Sequence, residues 1–152
     1  MKILIINGPN LNLVGIREPN IYGSRTYEEI GNDVVMHAKK HKCAAEFWQS
    51  NHEGAIIDKI QGATYDALII NAGALSHYSY AIADALRAVG KPCIEVHLSN
   101  IYAREEFRSK SVISQFVDGI ICGIGSKGYH LAIDAVVDIT RSRVSRASPG
   151  SP

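Results

Sequence analysis

The chain has 152 residues, with 16 Lys+Arg against 15 Asp+Glu; 46% of residues are apolar and 20% charged. That length allows one domain of ordinary size, and the mixture excludes both disorder and collagen-like repeats. Arg141, Arg143 and Arg146 follow the last acid, so residues 1–138 carry 13 bases and 15 acids, a mildly acidic body for which neither nucleic acid nor a membrane surface is an expected partner.

No apolar run approaches the roughly 18 residues of a membrane span. The opening Lys2-Ile3-Leu4-Ile5-Ile6 is too short for a signal peptide, so a cytoplasmic location is expected. Cys43, Cys93 and Cys122 are odd in number and lie in or beside apolar stretches, which reads as buried reduced thiols. Zinc-site cysteine spacing and HExxH are both missing from the sequence, and no structural metal is expected.

In chain order, short apolar runs alternate with segments of helical period. The runs are Ile3 to Ile6, a more mixed Cys43 to Trp48, Ala67 to Ile70, Cys93 to Val96, and Val117 to Cys122. After the first run, the stretch from Gly8 to Ser24 exceeds the about 12–15 residues usual for a structureless loop and suggests a lid. Thr26-Tyr27-Glu28-Glu29 is a capping box opening a helix with Ile30, Val34 and Ala38 on one face. Ile56, Ile57 and Ile60 mark a second helix. Ala81, Ile82, Ala85, Leu86 and Val89 mark a third, stopped by Gly90-Lys91-Pro92. Tyr129, Ala132, Ile133, Val136, Val137 and Thr140 form the last stripe.

Near-continuous apolar strands alternating with amphipathic helices predict a parallel sheet covered on both faces. The expected fold is α/β, a flavodoxin-like three-layer arrangement with a five-stranded parallel sheet in the order 2-1-3-4-5. One catalytic domain is expected over residues 1–141, with a flexible Ser/Arg/Pro/Gly tail over 142–152.

Ligands bind such sheets beyond the carboxyl ends of the strands. Polar residues gather there: Asn7-Gly8-Pro9-Asn10-Leu11-Asn12, Gln49-Ser50-Asn51-His52-Glu53-Gly54, Asn71 to His77, Glu95 and His97 with Ser99-Asn100, and Arg104 with Arg108. Amide, imidazole and guanidinium donors on one rim suit a small polyhydroxylated anion. Each residue alone also has a plainer reading. Asn7-Gly8 is an ordinary turn, and a solvated face would explain Arg104 and Arg108, placed one helical turn apart. Glu95 and His97 alternate with Ile94 and Val96 and so share a face. Gly123-Ile124-Gly125-Ser126-Lys127-Gly128 has dinucleotide-loop spacing but follows the last run, and reads as a tight strand-to-helix turn.

Taken together and in order, these motifs, with Arg17-Glu18-Pro19, Tyr22-Gly23 and Glu95-Val96-His97-Leu98-Ser99-Asn100, closely resemble type II 3-dehydroquinate dehydratase across residues 1 to about 140. The resemblance implies dehydration of 3-dehydroquinate to 3-dehydroshikimate by anti elimination through an enolate, in the shikimate pathway or quinate breakdown, with no metal, nucleotide or Schiff-base cofactor. It implies Tyr22 as base, helped by the cations Arg17 and Arg104, since a free phenol ionises only near pH 10. Asn10 would hold a water at the enolate oxygen. His97, oriented by Glu95, would be the general acid. Asn71 and the N–H groups of Leu98 and Ser99 would take the carboxylate, His77 and Arg108 the ring hydroxyls. Asp84 would arrive from a neighbouring protomer, in trimers assembled into a dodecamer. Ala83 stands where a basic residue is expected, Tyr102 where a histidine is common, and Tyr78 and Tyr80 replace smaller residues. These departures bear on the subunit contact, not on the reaction.

Other occupants of such a sheet fit less well. A phospho-receiver would need acids where Asn7 and Asn71 stand, and an FMN phosphate loop would need the N–H that Pro9 lacks.

Overall fold

A computed structural model describes residues 1–147 of the chain. Five parallel strands, β1 (Lys2–Asn7), β2 (Ala44–Gln49), β3 (Ala67–Asn71), β4 (Cys93–His97) and β5 (Gly119–Cys122), form one sheet in the order β2-β1-β3-β4-β5. This is the expected topology. The helices are a one-turn α1 (Pro19–Tyr22), α2 (Tyr27–Lys40), α3 (Glu53–Gly62), α4 (Tyr80–Val89) and α5 (Lys127–Ala147).

Strand alternation divides the interior into two layers. Ile3, Ile5, Ala67, Ile69, Ile94 and Val96 pack with the buried faces of α2 and α5. Leu4, Ile6, Leu68, Ile70 and Cys93 pack with those of α3 and α4. β1 and β3 lie inside the sheet, covered on both faces, and accordingly read as unbroken apolar runs. β2 is an edge strand and only half-buried, which is why its run is mixed.

The local signals resolve as the chemistry requires. Thr26 Oγ1 accepts from the N–H of Glu29 at 3.2 Å while Glu29 Oε2 accepts from the N–H of Thr26 at 2.9 Å, opening α2. Ser79 caps α4 by accepting from the N–H of Ile82, and Gly90 ends it in the left-handed region.

Two expectations are corrected. The stretch from Gly8 to Ser24 is not structureless: a 3-10 turn over Leu11–Leu13 and the single turn of α1 fold it back on itself. The tail expected from residue 142 instead continues α5 to Ala147; Arg143 ties that extension to the Asp118 carboxylate and to the carbonyl of Gly90. Residues 148–152 lie outside the described residues. No described helix is long and apolar enough to cross a membrane.

Candidate active site

The register of the sheet sets Asn7 beside both Gln49 and Asn71, so three carboxamides line up at the carboxyl ends of β2, β1 and β3. They build a platform. Asn71 Nδ2 donates to the Tyr129 hydroxyl at 3.0 Å, and that hydroxyl donates to Asn7 Oδ1 at 2.5 Å. Asn7 Nδ2 in turn donates to the carbonyl of Trp48. All three side chains are buried, where each unmade bond would cost about 1–3 kcal/mol. Burial raises the Tyr129 phenol far above its ordinary range, so it remains a neutral relay between the two amides.

Gln49 and Asn51 set the first loop on this platform. Gln49 Nε2 donates to the carbonyl of Gly8 and to Asn51 Oδ1, and Asn51 Oδ1 accepts from the backbone N–H of Asn10 at 3.0 Å. Asn10 is thereby held in the left-handed region with φ of 67°, tolerable for asparagine. Gly8 has no room for a side chain, since a Cβ there would sit 2.2 Å from the carbonyl oxygen of Ala72.

At the end of β4, Glu95 and His97 point to one side as the alternation predicts. His97 Nε2 lies 2.6 Å from Glu95 Oε1, with the carboxylate fully buried and the ring 5% exposed. Burial would raise the Glu95 carboxyl, but hydrogen bonds from His97, Ser111 and Ser114 outweigh it and hold the carboxyl below its ordinary range. Both serines come from the segment after the 3-10 turn over Glu106–Ser109. An ionised Glu95 accepting these bonds fixes the ring of His97 and leaves Nδ1 as the nitrogen for a ligand. His77 lies nearly parallel to His97 at 6.3 Å between ring centres, with its Nδ1 on the carbonyl of Lys110. Burial first, then the nearby His97 and Arg108 charges, disfavour the protonated form of His77.

The first loop closes the other side. Arg104 Nη1 donates to the Tyr22 hydroxyl at 2.8 Å, and the guanidinium lies 5.4 Å from the ring centre. Arg17 lines the same pocket, but its guanidinium pairs with Glu18 at 3.5 Å. Of the two cations expected beside the phenol, Arg104 is the one bonded to it.

One pocket brings together Asn10, Arg17, Tyr22, Asn71, His77, His97, Leu98, Ser99, Arg104 and Arg108. Glu95 stands behind His97, and Asp84 is exposed on α4, outside this pocket. Arg104 and Arg108 do converge, but not as successive turns of one helix. Arg104 ends the 3-10 turn Ile101–Ala103 and Arg108 belongs to the next one, so two backbone bends aim them inward. Sequence reasoning missed the relay of Asn7 and Tyr129 and the donors Ser111 and Ser114. The only signal for Tyr129 was a phenol in a largely aliphatic stripe.

Chemically, the pocket offers a phenol under a guanidinium, an imidazole backed by a buried carboxylate, and amide donors between them. That set can take a proton at one point and deliver one at another.

Residues 1–137 match the family described as dehydroquinase class II. The chain is similar to the 3-dehydroquinate dehydratase of Caldicellulosiruptor bescii, 57% identical over 141 residues, covering 91% of this chain and 97% of that protein. It is 51% identical over 136 residues to the 3-dehydroquinate dehydratase of Thermotoga neapolitana, covering 90% and 94%. Among solved structures it resembles the type II dehydroquinase of Butyrivibrio crossotus, with a TM-score of 0.89 and 54% identity over 90% of this chain and 97% of that one. On sequence and fold together, this chain belongs to the class II dehydroquinase family.

Proposed function

We propose that this chain dehydrates 3-dehydroquinate to 3-dehydroshikimate, with Tyr22 as base and His97 as acid. The observation that carries the reading is the pairing, in one pocket, of Tyr22 held by Arg104 with His97 held by Glu95. The phenolic oxygen of Tyr22 takes the proton beside the ketone, and the C–H electron pair moves into the enolate. Asn10 holds a water against the enolate oxygen, stabilising charge where it develops. The enolate then collapses and expels the C1 hydroxyl, which leaves as water with a proton from His97. Arg104 supplies a permanent cation to the oxygen that becomes anionic, the stronger class of hydrogen bond.

Asn71 and the backbone N–H groups of Leu98 and Ser99 take the substrate carboxylate, and His77 and Arg108 take ring hydroxyls. Asp84 faces outward and reaches the pocket of a neighbouring chain, in trimers grouped as a dodecamer. The exposed aromatic rings of Tyr78, Tyr80, Tyr102 and Phe107 support such an assembly. Ala83 is buried within its own chain, so the missing basic neighbour leaves Asp84 to make the contact alone. The enzyme so read works in the cytoplasm.

The direct test is purified protein with 3-dehydroquinate, followed by the ultraviolet absorbance of the conjugated enone. Rising absorbance is expected, and a flat trace from folded protein would overturn the reading. Sedimentation tests the assembly: a fully active monomer would remove Asp84 from the site.

A further inference from the structure

Away from the pocket, the contact between α2 and α5 is lined by imidazoles and carboxylates. His37 and His41 stand four residues apart on α2 and its C-cap. Both Nε2 atoms converge on one oxygen of Asp134 in α5, at 2.7 and 2.8 Å. Among the described residues, these three form the one group whose nitrogen and carboxylate atoms gather closely enough to hold a metal ion, all within 4.8 Å of one another.

We propose that His37, His41 and Asp134 bind a divalent transition ion of the zinc class, clamping α2 to α5. The donor set decides the class: two imidazoles with one carboxylate suit zinc, nickel or copper and disfavour magnesium and calcium, which seek oxygen shells. Bonds of about 2.0–2.2 Å to each ligand require the two imidazoles to draw back from the Asp134 oxygen, which they now meet at 2.7 and 2.8 Å. The side chains are 18%, 29% and 45% exposed, so the ion has a route in and room for a water as fourth ligand.

The surroundings fit. His130, one turn before Asp134 on α5, stacks on His37 at 4.5 Å and 9°, which fixes the plane of that ring. Its own Nε2 is buried and lies 2.9 Å from Asp33 Oδ2. The site sits at the C-terminal end of α2, where the helix dipole favours a cation. Facing charges are Asp33 with its partner Arg25, Lys127 beside His130, and Arg141, which bonds the carbonyl of His41. None of the three ligands lines the substrate pocket, so the ion's task is structural. The ligands lie 97 and 93 residues apart in sequence, which is why spacing motifs pass over them.

The test is calorimetric titration of EDTA-dialysed full-length protein with Zn2+, repeated with Co2+ to read ligand-field absorption. One ion per chain is expected, with a higher thermal midpoint in its presence. His41→Gln and Asp134→Asn should each weaken binding at least about tenfold, since even outer partners of metal ligands are worth 10–100-fold. His52→Gln should not. Should a variant fold poorly in EDTA, imidazole proton resonances of the wild type replace it: His37 and His41 should shift on Zn2+ addition. Absence of saturable binding, binding indifferent to both variants, or shifts confined to His77 and His97 would each overturn the proposal.

Discussion

The pocket has a floor and a lid, built on opposite physical terms. The floor consists of strand ends: Asn7, Asn71, Glu95 and His97 are buried; Tyr129 of α5 holds the two asparagines, Ser111 and Ser114 hold Glu95, and Glu95 holds His97 from within β4. The outer part of the suggested lid, residues 15–24 of the Gly8 to Ser24 stretch, is exposed along most of its length, and Ile16 is 76% exposed. Its Tyr22, the proposed base, is held by Arg104 and by partial packing of its ring against the α2/α5 layer. On the proposed mechanism the acid His97 would come from the buried floor and the base Tyr22 from the exposed lid.

The largest expected effects fall on the two proton carriers, and they separate lid from floor. Tyr22→Phe keeps the ring contact and removes the hydroxyl, so turnover should fall by about 10²–10⁴, the usual worth of a positioned acid–base group. Exchange of the substrate's α-proton with deuterated solvent should fall with it. His97→Ala should make little product yet still exchange that proton, because abstraction belongs to the lid. Mass spectrometry of recovered substrate distinguishes the two. Parallel loss of exchange and dehydration in His97→Ala would make the ring a substrate-positioning group.

Next in size is the floor's own rigidity. Gly8→Ala drives a Cβ to 2.2 Å from the Ala72 carbonyl, so the ends of β1 and β3 must part. A loss of about 3 kcal/mol is expected from overpacking at so fixed a point. Urea unfolding measures it. A loss below about 0.5 kcal/mol, the ordinary surface value, would show that the floor yields as easily as the lid.

Glu95→Gln tests the same rigidity through pH. The folded-state carboxyl sits below its ordinary value, so its contribution is fully present above the unfolded pKa near 4.3 and is lost as pH falls through the folded value. The variant should be less stable than wild type at pH 7 by about 1–3 kcal/mol, the cost of disturbing buried hydrogen bonds. That gap should close as acid protonates the wild-type carboxyl. Unfolding series from pH 7 to pH 3 check the sign. A gap that stays constant would mean that Glu95 titrates alike in the folded and unfolded chain, and a wild type that gains on the variant as pH falls would mean that the fold holds Glu95 protonated.

How much of this was legible follows from where each interaction sits along the chain. β1 and β3 were readable because strands covered on both faces carry near-continuous apolar runs. The helix start at Thr26 was readable because a capping box is a local device. The Glu95–His97 pair was readable from alternation within one strand. The Asn7–Tyr129 bond spans 122 residues and joins a turn-like asparagine to a core-like tyrosine, so no window of sequence contains it. The last turns of α5 failed for another reason. Residues 141–147 are exposed and Val144 is their one large apolar side chain, so they carry no apolar stripe to mark a helix.

The smallest expected effect is the one that most sharpens the contrast. Ile16→Ser removes a large apolar side chain, a change that in the buried core costs about 2–5 kcal/mol when taken to alanine. On the lid, Ile16 is 76% exposed and belongs to neither buried layer. Its replacement should change stability by no more than about 0.5 kcal/mol, because little apolar area returns to water. Chemical unfolding read by Trp48 fluorescence measures this. A loss of about 1 kcal/mol or more would mean that something covers Ile16 in solution. Among the described residues no packing within the chain covers Ile16, so a neighbouring subunit is the cover to test for. Repeating the measurement over a range of protein concentrations then identifies it: a loss that grows on dilution belongs to assembly, and one that does not belongs to the fold of the lid itself.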